Sequence, residues 1–421
     1  MSTKYVKLME GGEVREFDPF TLKDIKVQGQ EPTPEIPIEY PLAKETINEK
    51  DIDELCNWLK SYPRLTKGNL TIEVEEKWAK YIGTKHAVFN NSGSSANFLM
   101  IYAAIMADKI KNKKIVVPSV GWVTTIAPAI QFGLEPIMVE ADKKTYGIDL
   151  DELEKICKKD KPDAVIFVQV LGVPHYRERL LELKEKYGFF LMEDACAALG
   201  SSYADGSMVG TVGDMSSFSF YFGHQLSTIE GGMVNTDDPE LHQVLVMLRS
   251  HGWGKDLNPD AYKALMDGYG IDDFHQPFTF FLPGFNLRST DLQAFLGIRQ
   301  IDRAEWVAKK RNRNHLQYAD ELKGYVEFQD WGDNNPVSIS FGALAKSPEH
   351  RKEIVKRLIE NGIETRIFSA GNLGRHPFWT DIYEEFEAPV SDSIHSRGFF
   401  LPNYPELMPH EISFICDVVK G

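Results

Sequence analysis

Cysteine is scarce in this chain, and its arrangement excludes several kinds of site. The four cysteines among 421 residues, Cys56, Cys157, Cys196 and Cys416, stand far apart and form no CxxC pair. Zinc ribbons and iron–sulfur clusters need closely spaced cysteines, so we expect neither a metal nor a cluster. Unpaired thiols are typical of a reducing compartment, which predicts a cytoplasmic protein.

Long apolar runs and an excess of positive charge are also missing. No stretch approaches the roughly 18 apolar residues of a membrane span, and the N-terminal segment lacks the apolar core of a signal peptide. Lys and Arg number 47 against 62 Asp and Glu, for a formal net charge of -15. Such a chain repels phosphate backbones and anionic lipid surfaces at long range. We therefore expect neither nucleic acid nor a membrane as its principal partner.

The composition that is present indicates a folded protein of more than one domain. Hydrophobic residues make up 43% and charged residues 26%, which is ordinary globular usage, and 421 residues are too many for one core. Residues 1–38 are polar and favour an N-terminal arm or extension. Residues 39–300 alternate short apolar runs with amphipathic stretches, the pattern of an α/β fold with a largely parallel sheet. Residues 301–421, which start within a long charged helix, should form a smaller C-terminal domain.

The clearest predicted strands are buried apolar runs bounded by turn formers or charges. They cover residues 86–90, 114–117, 136–139, 164–169, 189–192 and 216–221. Most of the polar residues of interest follow these strands directly. Ligands of open α/β sheets bind beyond the carboxyl ends of the strands, where helix N-termini also point. The candidate site is therefore expected at that edge of the sheet.

A serine-rich loop follows the first of these strands. Ser92-Gly93-Ser94-Ser95 lies between residue 90 and an apolar helix predicted over residues 98–107. Small side chains let main-chain amides approach an anion, and free N–H groups at a helix start favour a phosphate. A plain turn with a serine N-cap explains the same residues, so the loop indicates a phosphate site only in combination with other features.

An acidic pair and a tryptophan follow two other strands. The run over residues 189–192 continues into Glu193-Asp194, which places a carboxylate at the mouth of the sheet. A protonated pyridine nitrogen, as in pyridoxal phosphate, is one partner for such a carboxylate, and a metal or a capped loop is another. Trp122 is placed to stack on a flat ring, although simple packing is the commoner role of such a residue.

A histidine-containing segment follows the strand predicted over residues 216–221. It resembles the cofactor-anchoring motif of the sugar aminotransferases of the DegT/DnrJ/EryC1/StrS family, in which a serine is followed five residues on by lysine and then by Glu-Gly-Gly. Here the serine is Ser219, the lysine position is His224, and Glu230-Gly231-Gly232 follows. The resemblance covers nearly the whole chain after the arm. It includes Tyr40-Pro41-Leu42-Ala43, Ser92-Gly93-Ser94-Ser95-Ala96-Asn97, Glu193-Asp194, Arg249-Ser250-His251-Gly252-Trp253 and Leu282-Pro283-Gly284-Phe285-Asn286-Leu287-Arg288.

This resemblance implies a fold and a set of site residues. The fold is that of the fold type I pyridoxal-phosphate enzymes, with a mostly parallel seven-stranded sheet in a large domain and a smaller C-terminal α+β domain. The implied cofactor contacts are the amides of Gly93, Ser94 and Ser95 and the hydroxyl of Ser219 at the phosphate, Trp122 on the ring, Asp194 at the ring nitrogen, and Asn286 across the interface of a homodimer. The implied substrate or supporting residues are His251 and Arg288. One position departs from the family: Ala197 replaces the usual Gln or Glu near the ring hydroxyl.

Histidine in place of lysine changes the expected chemistry. Imidazole cannot form the covalent link that lysine makes with the cofactor aldehyde, but it transfers protons well near neutral pH. The histidine variant is similar to the family branch of GDP-4-keto-6-deoxymannose 3-dehydratases. That similarity implies noncovalently bound pyridoxal or pyridoxamine phosphate and a catalytic role for His224. It also implies a nucleotide-linked 4-keto-6-deoxyhexose that loses its C3 hydroxyl, with glutamate as the amino donor.

Three other interpretations fit parts of the same sequence. A second histidine branch, the CDP-sugar 3-dehydratases, carries a [2Fe-2S] cluster, but residues 254–259 hold no cysteine where its cysteine-rich stretch is expected. A nucleotide-sugar aminotransferase remains open and needs a lysine, of which Lys255 is the nearest along the chain. A catalytically inactive regulatory relative also remains open, although Asp194, Ser219 and a titratable base argue against it.

Overall fold

The computed structural model describes residues 6–10, 13–17 and 37–421. The chain divides into two compact units, residues 1–37 and residues 38–421. Within the first unit, β1 (Val6–Glu10) pairs antiparallel with β2 (Glu13–Phe17). The arm expected over residues 1–38 lies partly outside the described residues, and its role stays a prediction.

The second unit alternates strands and helices along most of its length. Its helices are α1 (Glu49–Leu59), α2 (Asn69–Ile82), α3 (Gly93–Met106), α4 (Val123–Gln131), α5 (Leu150–Asp160), α6 (Arg177–Tyr187), α7 (Pro239–Arg249), α8 (Pro259–Tyr269), α9 (Asp291–Glu321), α10 (Pro348–Glu360), α11 (Pro377–Thr380), α12 (Pro389–Arg397) and α13 (Pro409–Lys420). Its strands are β3 (His86–Asn90), β4 (Lys114–Pro118), β5 (Glu135–Val139), β6 (Ala164–Val168), β7 (Phe190–Asp194), β8 (Met215–Ser219), β9 (Gly232–Thr236), β10 (Glu327–Phe328), β11 (Ser340–Leu344) and β12 (Gly398–Pro402).

A seven-stranded sheet organises residues 86–236. Its strand order is β3-β9-β8-β7-β6-β4-β5. Neighbours from β8 to β5 pair in parallel, whereas β9 runs antiparallel to both β3 and β8. This confirms the predicted α/β fold with a mostly parallel sheet. The six predicted strands correspond to β3 to β8. Strand β9 was not predicted because its short apolar run comes directly after the pair Gly231-Gly232, of which Gly232 is the first residue of the strand.

Both faces of this sheet are covered, which explains why its strands are apolar throughout. On β6, Val165 and Phe167 pack into one core, while Ala164 and Ile166 pack into the other. Side chains alternate between the faces of a strand, so a strand covered on both sides needs an apolar residue at nearly every position. The first core includes residues of α2, α5, α6 and α9, and the second includes residues of α3, α4 and α7.

A smaller antiparallel sheet, in the order β10-β11-β12, forms a separate core near the C-terminus. Helix α9 contributes to both parts, because Ala304 and Val307 pack beside the large sheet while Tyr318 and Ala319 pack with the small one. The division at residues 300 and 301 stays a prediction, and both of these residues lie inside α9. Among the described helices, none combines the length and the apolar character needed to cross a bilayer.

Candidate active site

The N-terminus of α3 presents main-chain amides at the carboxyl end of β3. Ser92 is the N-cap, and its hydroxyl oxygen accepts a hydrogen bond of 3.0 Å from the Ser95 amide. Among the described residues, the amides of Gly93 and Ser94 have no acceptor. Two free N–H groups at the positive end of a 14-residue helix suit an anion such as a phosphate. The Ser95 amide, also predicted as a phosphate contact, is already bound within the cap. Helix α3 starts at Gly93, five residues earlier than predicted, because Ser92 caps it.

Gly93 touches the end of β8. A Cβ atom at position 93 would lie 2.4 Å from the Cβ of Ser219 and 2.8 Å from its hydroxyl oxygen. No residue other than glycine fits at such a distance. The absence of a side chain therefore brings the Ser219 hydroxyl to the start of α3, next to the free amides.

The carboxylate of Asp194 is buried at the end of β7 and is held by neutral donors. Its Oδ2 accepts from Asn97 Nδ2 at 2.8 Å and from Thr125 Oγ1 at 2.6 Å, while Oδ1 accepts from the Cys196 amide at 3.1 Å. Ser217 Oγ in turn donates to Asn97 Oδ1. Among the described residues no Lys or Arg pairs with Asp194. A buried carboxylate without a countercharge suits a cationic ligand atom such as a protonated ring nitrogen.

Trp122 stands at the carboxyl end of β4, where it is the N-cap residue of α4. Its side chain is 61% exposed, and within residues 37–421 it makes no contact with another aromatic ring. The Ser94 hydroxyl donates to Thr124 Oγ1 at 3.1 Å, which joins the starts of α3 and α4. The start of α4, with Trp122 at its N-cap, is therefore next to the free amides of α3, and the exposed indole suits stacking on a flat ring.

His224 lies in the turn that follows β8. Its amide donates to the Tyr221 carbonyl oxygen at 2.9 Å, and neither ring nitrogen has a hydrogen-bond partner among the described residues. Burial lowers the pKa of the imidazole to about 4, the Asp194 carboxylate raises it, and the Arg311 guanidinium lowers it further. The ring is therefore neutral at pH 7 and able to accept a proton.

A second group of predicted residues surrounds Arg288. Its Nε donates to Asn286 Oδ1 at 3.1 Å, and its Nη2 lies 3.3 Å from His251 Nε2. A guanidinium only donates, so Nε2 of His251 is the acceptor of this contact, and burial and the charge of Arg288 lower the pKa of His251. The Asn91 amide donates to the Leu287 carbonyl oxygen at 3.0 Å, which places this cluster beside the α3 loop.

Sequence reasoning missed the residues that hold the site together. Asn97 and Thr125 bind Asp194, yet each is a common polar residue near a helix start, with no pattern that singles it out. Gln225 and Arg311 are fully buried, but the sequence presents one as a neighbour of His224 and the other as part of a solvated charged helix. Only tertiary packing identifies such contacts.

No cluster of three or more His, Cys, Asp or Glu side chains in residues 37–421 is arranged to hold a metal ion. Lys255, the lysine considered for an aminotransferase, belongs to the Arg288 region. Its Nζ lies over the Trp253 ring, 3.6 Å from the ring centroid.

The mostly parallel seven-stranded sheet, with Gly93, Asp194, Ser219 and His224 at or after the strand ends, defines the fold of the type I pyridoxal-phosphate enzymes. Residues 45–420 match the family model described as the DegT/DnrJ/EryC1/StrS aminotransferase family. The chain belongs to this family.

One relative and two solved structures resemble the chain over most of its length. The GDP-4-keto-6-deoxy-D-mannose 3-dehydratase of Yersinia pseudotuberculosis is 33% identical, with 91% of this chain and 99% of that protein covered. The structure of the E. coli GDP-4-keto-6-deoxy-D-mannose-3-dehydratase with bound hydrated PLP has a TM-score of 0.84 and 28% identity, covering 91% of this chain and 100% of the other. A structure of GDP-4-keto-6-deoxymannose-3-dehydratase with a trapped PLP–glutamate geminal diamine has a TM-score of 0.82 and 28% identity, covering 90% of this chain and 100% of the other.

Proposed function

We propose that this chain is a pyridoxal-phosphate-dependent 3-dehydratase that removes the C3 hydroxyl of a nucleotide-linked 4-keto-6-deoxyhexose, with GDP-4-keto-6-deoxymannose favoured. One observation carries the proposal: a neutral imidazole, His224, occupies the motif position at which aminotransferases of the family have lysine. The 3-dehydratase relatives support the substrate class. Without a lysine at that position, the cofactor is held by noncovalent contacts alone.

The polar groups at the strand ends fit this cofactor. The amides of Gly93 and Ser94 and the hydroxyl of Ser219 would bind the phosphate, Trp122 would stack on the ring, and the carboxylate of Asp194 would keep the ring nitrogen protonated. Ser95 contributes by shaping the cap of α3. When bound, pyridoxamine phosphate supplies an amine for the C4 ketone and a ring that withdraws electrons from the adjacent carbon.

His224 moves the protons of the reaction. Its lowered pKa keeps the imidazole unprotonated at neutral pH, so it would accept a proton from the methylene carbon that joins the amine to the ring. The same imidazole, then charged, would donate that proton to the C3 hydroxyl, which would leave as water. One residue thus acts first as the base and then as the acid, which needs it to face both atoms.

The Arg288 cluster belongs to the same proposal. Asn286 is exposed on this chain, and we infer that it reaches the phosphate site of a second copy, which makes the active unit a homodimer. Arg288, in contact with His251, provides a positive site for an anionic substrate in a chain whose net charge is -15. Glutamate, the amino donor that regenerates pyridoxamine phosphate, carries such anionic groups. The four unpaired cysteines suit a cytoplasmic location.

The deciding experiment incubates the protein and pyridoxal phosphate with glutamate and a panel of nucleotide-linked 4-keto-6-deoxyhexoses. Mass spectrometry should detect a sugar product that is lighter than its substrate by one oxygen atom, because water is eliminated, hydrolysis then adds water and releases ammonia, and glutamate supplies the two electrons of the net reduction. His224→Asn should abolish this product while leaving cofactor binding largely intact. An amino sugar as the main product, with a lysine–cofactor adduct after borohydride treatment, would establish the aminotransferase instead. Absence of both products across the panel would favour an inactive relative.

A further inference from the structure

The imidazole of His224 lacks the support that usually orients a catalytic histidine. In many enzymes a carboxylate or a carbonyl binds one ring nitrogen and so fixes the direction of the other. Here Nδ1 is buried without a partner, and in the part of the chain that the structure describes no hydrogen bond reaches either nitrogen. The direction of the ring must therefore come from the main chain of residues 224 and 225.

Arg311 of α9 is the first of two side chains that hold this main chain. It is fully buried, and its guanidinium donates to the carbonyl oxygens of Ile339 at 3.0 Å and Asn403 at 2.7 Å. Its Nη2 makes a longer contact of 3.4 Å with the carbonyl oxygen of His224. The planar guanidinium thus connects the turn after β8 with the segments that flank the small sheet.

Gln225 is the second side chain that holds the main chain of residues 224 and 225. Its side chain is completely buried, and its Nε2 donates to the carbonyl oxygens of Ala197 at 2.7 Å and Val337 at 2.8 Å. Ala197 stands three residues after Asp194, in the loop that follows β7. The amide of Gln225 therefore fixes the histidine turn both to the Asp194 loop and to the same C-terminal segment that Arg311 binds.

We propose that Arg311 and Gln225 are positioning residues, which fix the imidazole of His224 relative to Asp194 by holding the main chain of residues 224 and 225 against residues 337–339. This inference rests on the proposed role of His224 as the proton-transfer group. Neither side chain needs to touch the substrate. The positioning depends on contacts to main-chain oxygens, so a substituted side chain must reproduce the donors and not only the volume.

The charge of Arg311 adds a second effect. Three titratable groups face the imidazole: the carboxylate of Asp194 from β7, the guanidinium of Arg311 from α9, and the phenol of Tyr221, whose ring centroid is 6.3 Å away. Burial lowers the pKa of Arg311 to about 10, so it stays charged at neutral pH. Within residues 37–421 no carboxylate forms an ion pair with it, although the charge of Glu406 raises its pKa, and its positive charge disfavours a protonated His224. Removing the charge should raise the pKa of His224.

The test compares four variants of the full chain with bound cofactor. Arg311→Met removes both the hydrogen-bond donors and the charge. Arg311→Lys keeps the charge but loses the planar guanidinium, and Gln225→Met removes the side-chain amide. His315→Gln is the matched control, because His315 is buried on the same helix and binds Ser338 Oγ at 2.8 Å without contacting His224. The readouts are kcat, KM, the cofactor dissociation constant, and the pKa of His224 from NMR of 13C-labelled histidine, assigned with His224→Asn.

We expect kcat to fall about tenfold to a hundredfold in the two Arg311 variants and in Gln225→Met, since misplacing a catalytic group costs this much. KM and cofactor affinity should change by less than about threefold, within the range of weak indirect effects. The pKa of His224 should rise in Arg311→Met and stay at the wild-type value in Arg311→Lys, which keeps the positive charge. The control should keep its kcat.

Two results would overturn the positioning role: an equal fall of kcat in His315→Gln, and a fall that appears in KM or cofactor affinity alone. An unchanged His224 pKa in Arg311→Met would overturn the charge effect of Arg311. If Arg311→Met does not fold, Arg311→Lys and Gln225→Met carry the kinetic comparison, and unchanged kcat in both refutes the proposal. If the wild-type chain dehydrates no sugar, the proposed function fails, whereas the NMR titrations still report the placement of the imidazole.

Discussion

Gly93 and Ser219 lie so close that a methyl group at position 93 would come within 2.4 Å of the Ser219 side chain. The contact joins the start of α3 to the end of β8. Two groups proposed to bind the same phosphate are therefore held together by the lack of a side chain. This arrangement makes the spacing of the anion site sensitive to a single carbon atom.

Gly93→Ala should separate these two elements and weaken cofactor binding. Because no atom of the Ser219 side chain moves far without shifting β8, we expect the affinity for pyridoxal phosphate to fall at least about tenfold, equal to about 1.4 kcal/mol. An absorbance titration measures the change. Gly268→Ala is the control, since a methyl group there meets no atom within 4 Å. An affinity that matches the wild-type value in both variants would contradict the assigned phosphate site.

Thr125→Val should remove one of the hydrogen bonds that hold the Asp194 carboxylate in place. The substitution preserves the side-chain shape but removes the hydroxyl that donates to Oδ2 at 2.6 Å. Hydrogen bonds to charged groups contribute about 1.5–3 kcal/mol, so the free energy of unfolding should fall by that amount in urea titrations of the cofactor-free protein. Cofactor affinity should fall as well. Thr211→Val, which removes an exposed hydroxyl bound to a carbonyl oxygen, serves as the control, and equal losses in both variants would refute a special role for Thr125.

His224→Lys should restore the covalent attachment typical of the family. A lysine amine at this position would meet the cofactor aldehyde, so borohydride treatment should add the cofactor mass to the peptide that contains residue 224. The absorbance maximum should also move to longer wavelength. The wild-type chain, treated in parallel, should give no such peptide. A variant that binds cofactor but yields no adduct would mean that residue 224 points away from the aldehyde.

Stability should decrease as the pH falls from about 6.5 to about 4, near the ordinary and the lowered pKa values of histidine. Burial lowers the pKa values of His175, His224 and His242 to about 4 and that of His315 to about 3. In this window the unfolded chain binds protons that the folded chain does not, so acid favours unfolding. Urea unfolding at several pH values measures the slope.

Replacing one of these histidines should flatten that slope. His175→Gln removes a buried imidazole whose Nε2 has no partner, so the free energy of unfolding should depend less steeply on pH in this variant. His410→Gln changes an exposed side chain and should keep the wild-type slope. A slope that is identical in all three proteins would mean that carboxylates, rather than buried histidines, determine the acid sensitivity.

The sequence was sufficient for six of the seven strands of the large sheet, whereas the roles of the site residues stay predictions. Apolar runs bounded by turn formers identified β3 to β8, because strands covered on both faces must be apolar at nearly every position. Strand β9 escaped because Gly232 opens it and a polar pair, Asn235-Thr236, closes it. The start of α3 was placed too late because Ser92, an N-cap that also suits a loop, precedes a residue of low helix propensity.

The supporting contacts of the site were beyond sequence reasoning for a different reason. Arg311 lies among Lys309, Lys310 and Arg313 in a charged run, and helical periodicity alone does not separate the one buried member from its neighbours. Its acceptors are carbonyl oxygens near residues 224, 339 and 403, which carry no side-chain signature. Only the folded chain brings these distant segments to one guanidinium.

The continuity of α9 through both cores constrains how chimeras of this family can be built. A crossover between residues 300 and 301 would splice two half-helices from different parents, and Ala304 and Val307 would then face a foreign core. A crossover beyond Glu321, where α9 ends, keeps the whole helix together with the large sheet of the same parent. The guanidinium of Arg311 binds main-chain carbonyl oxygens, so a transplanted C-terminal segment offers it the same kind of acceptor whatever side chains the segment carries.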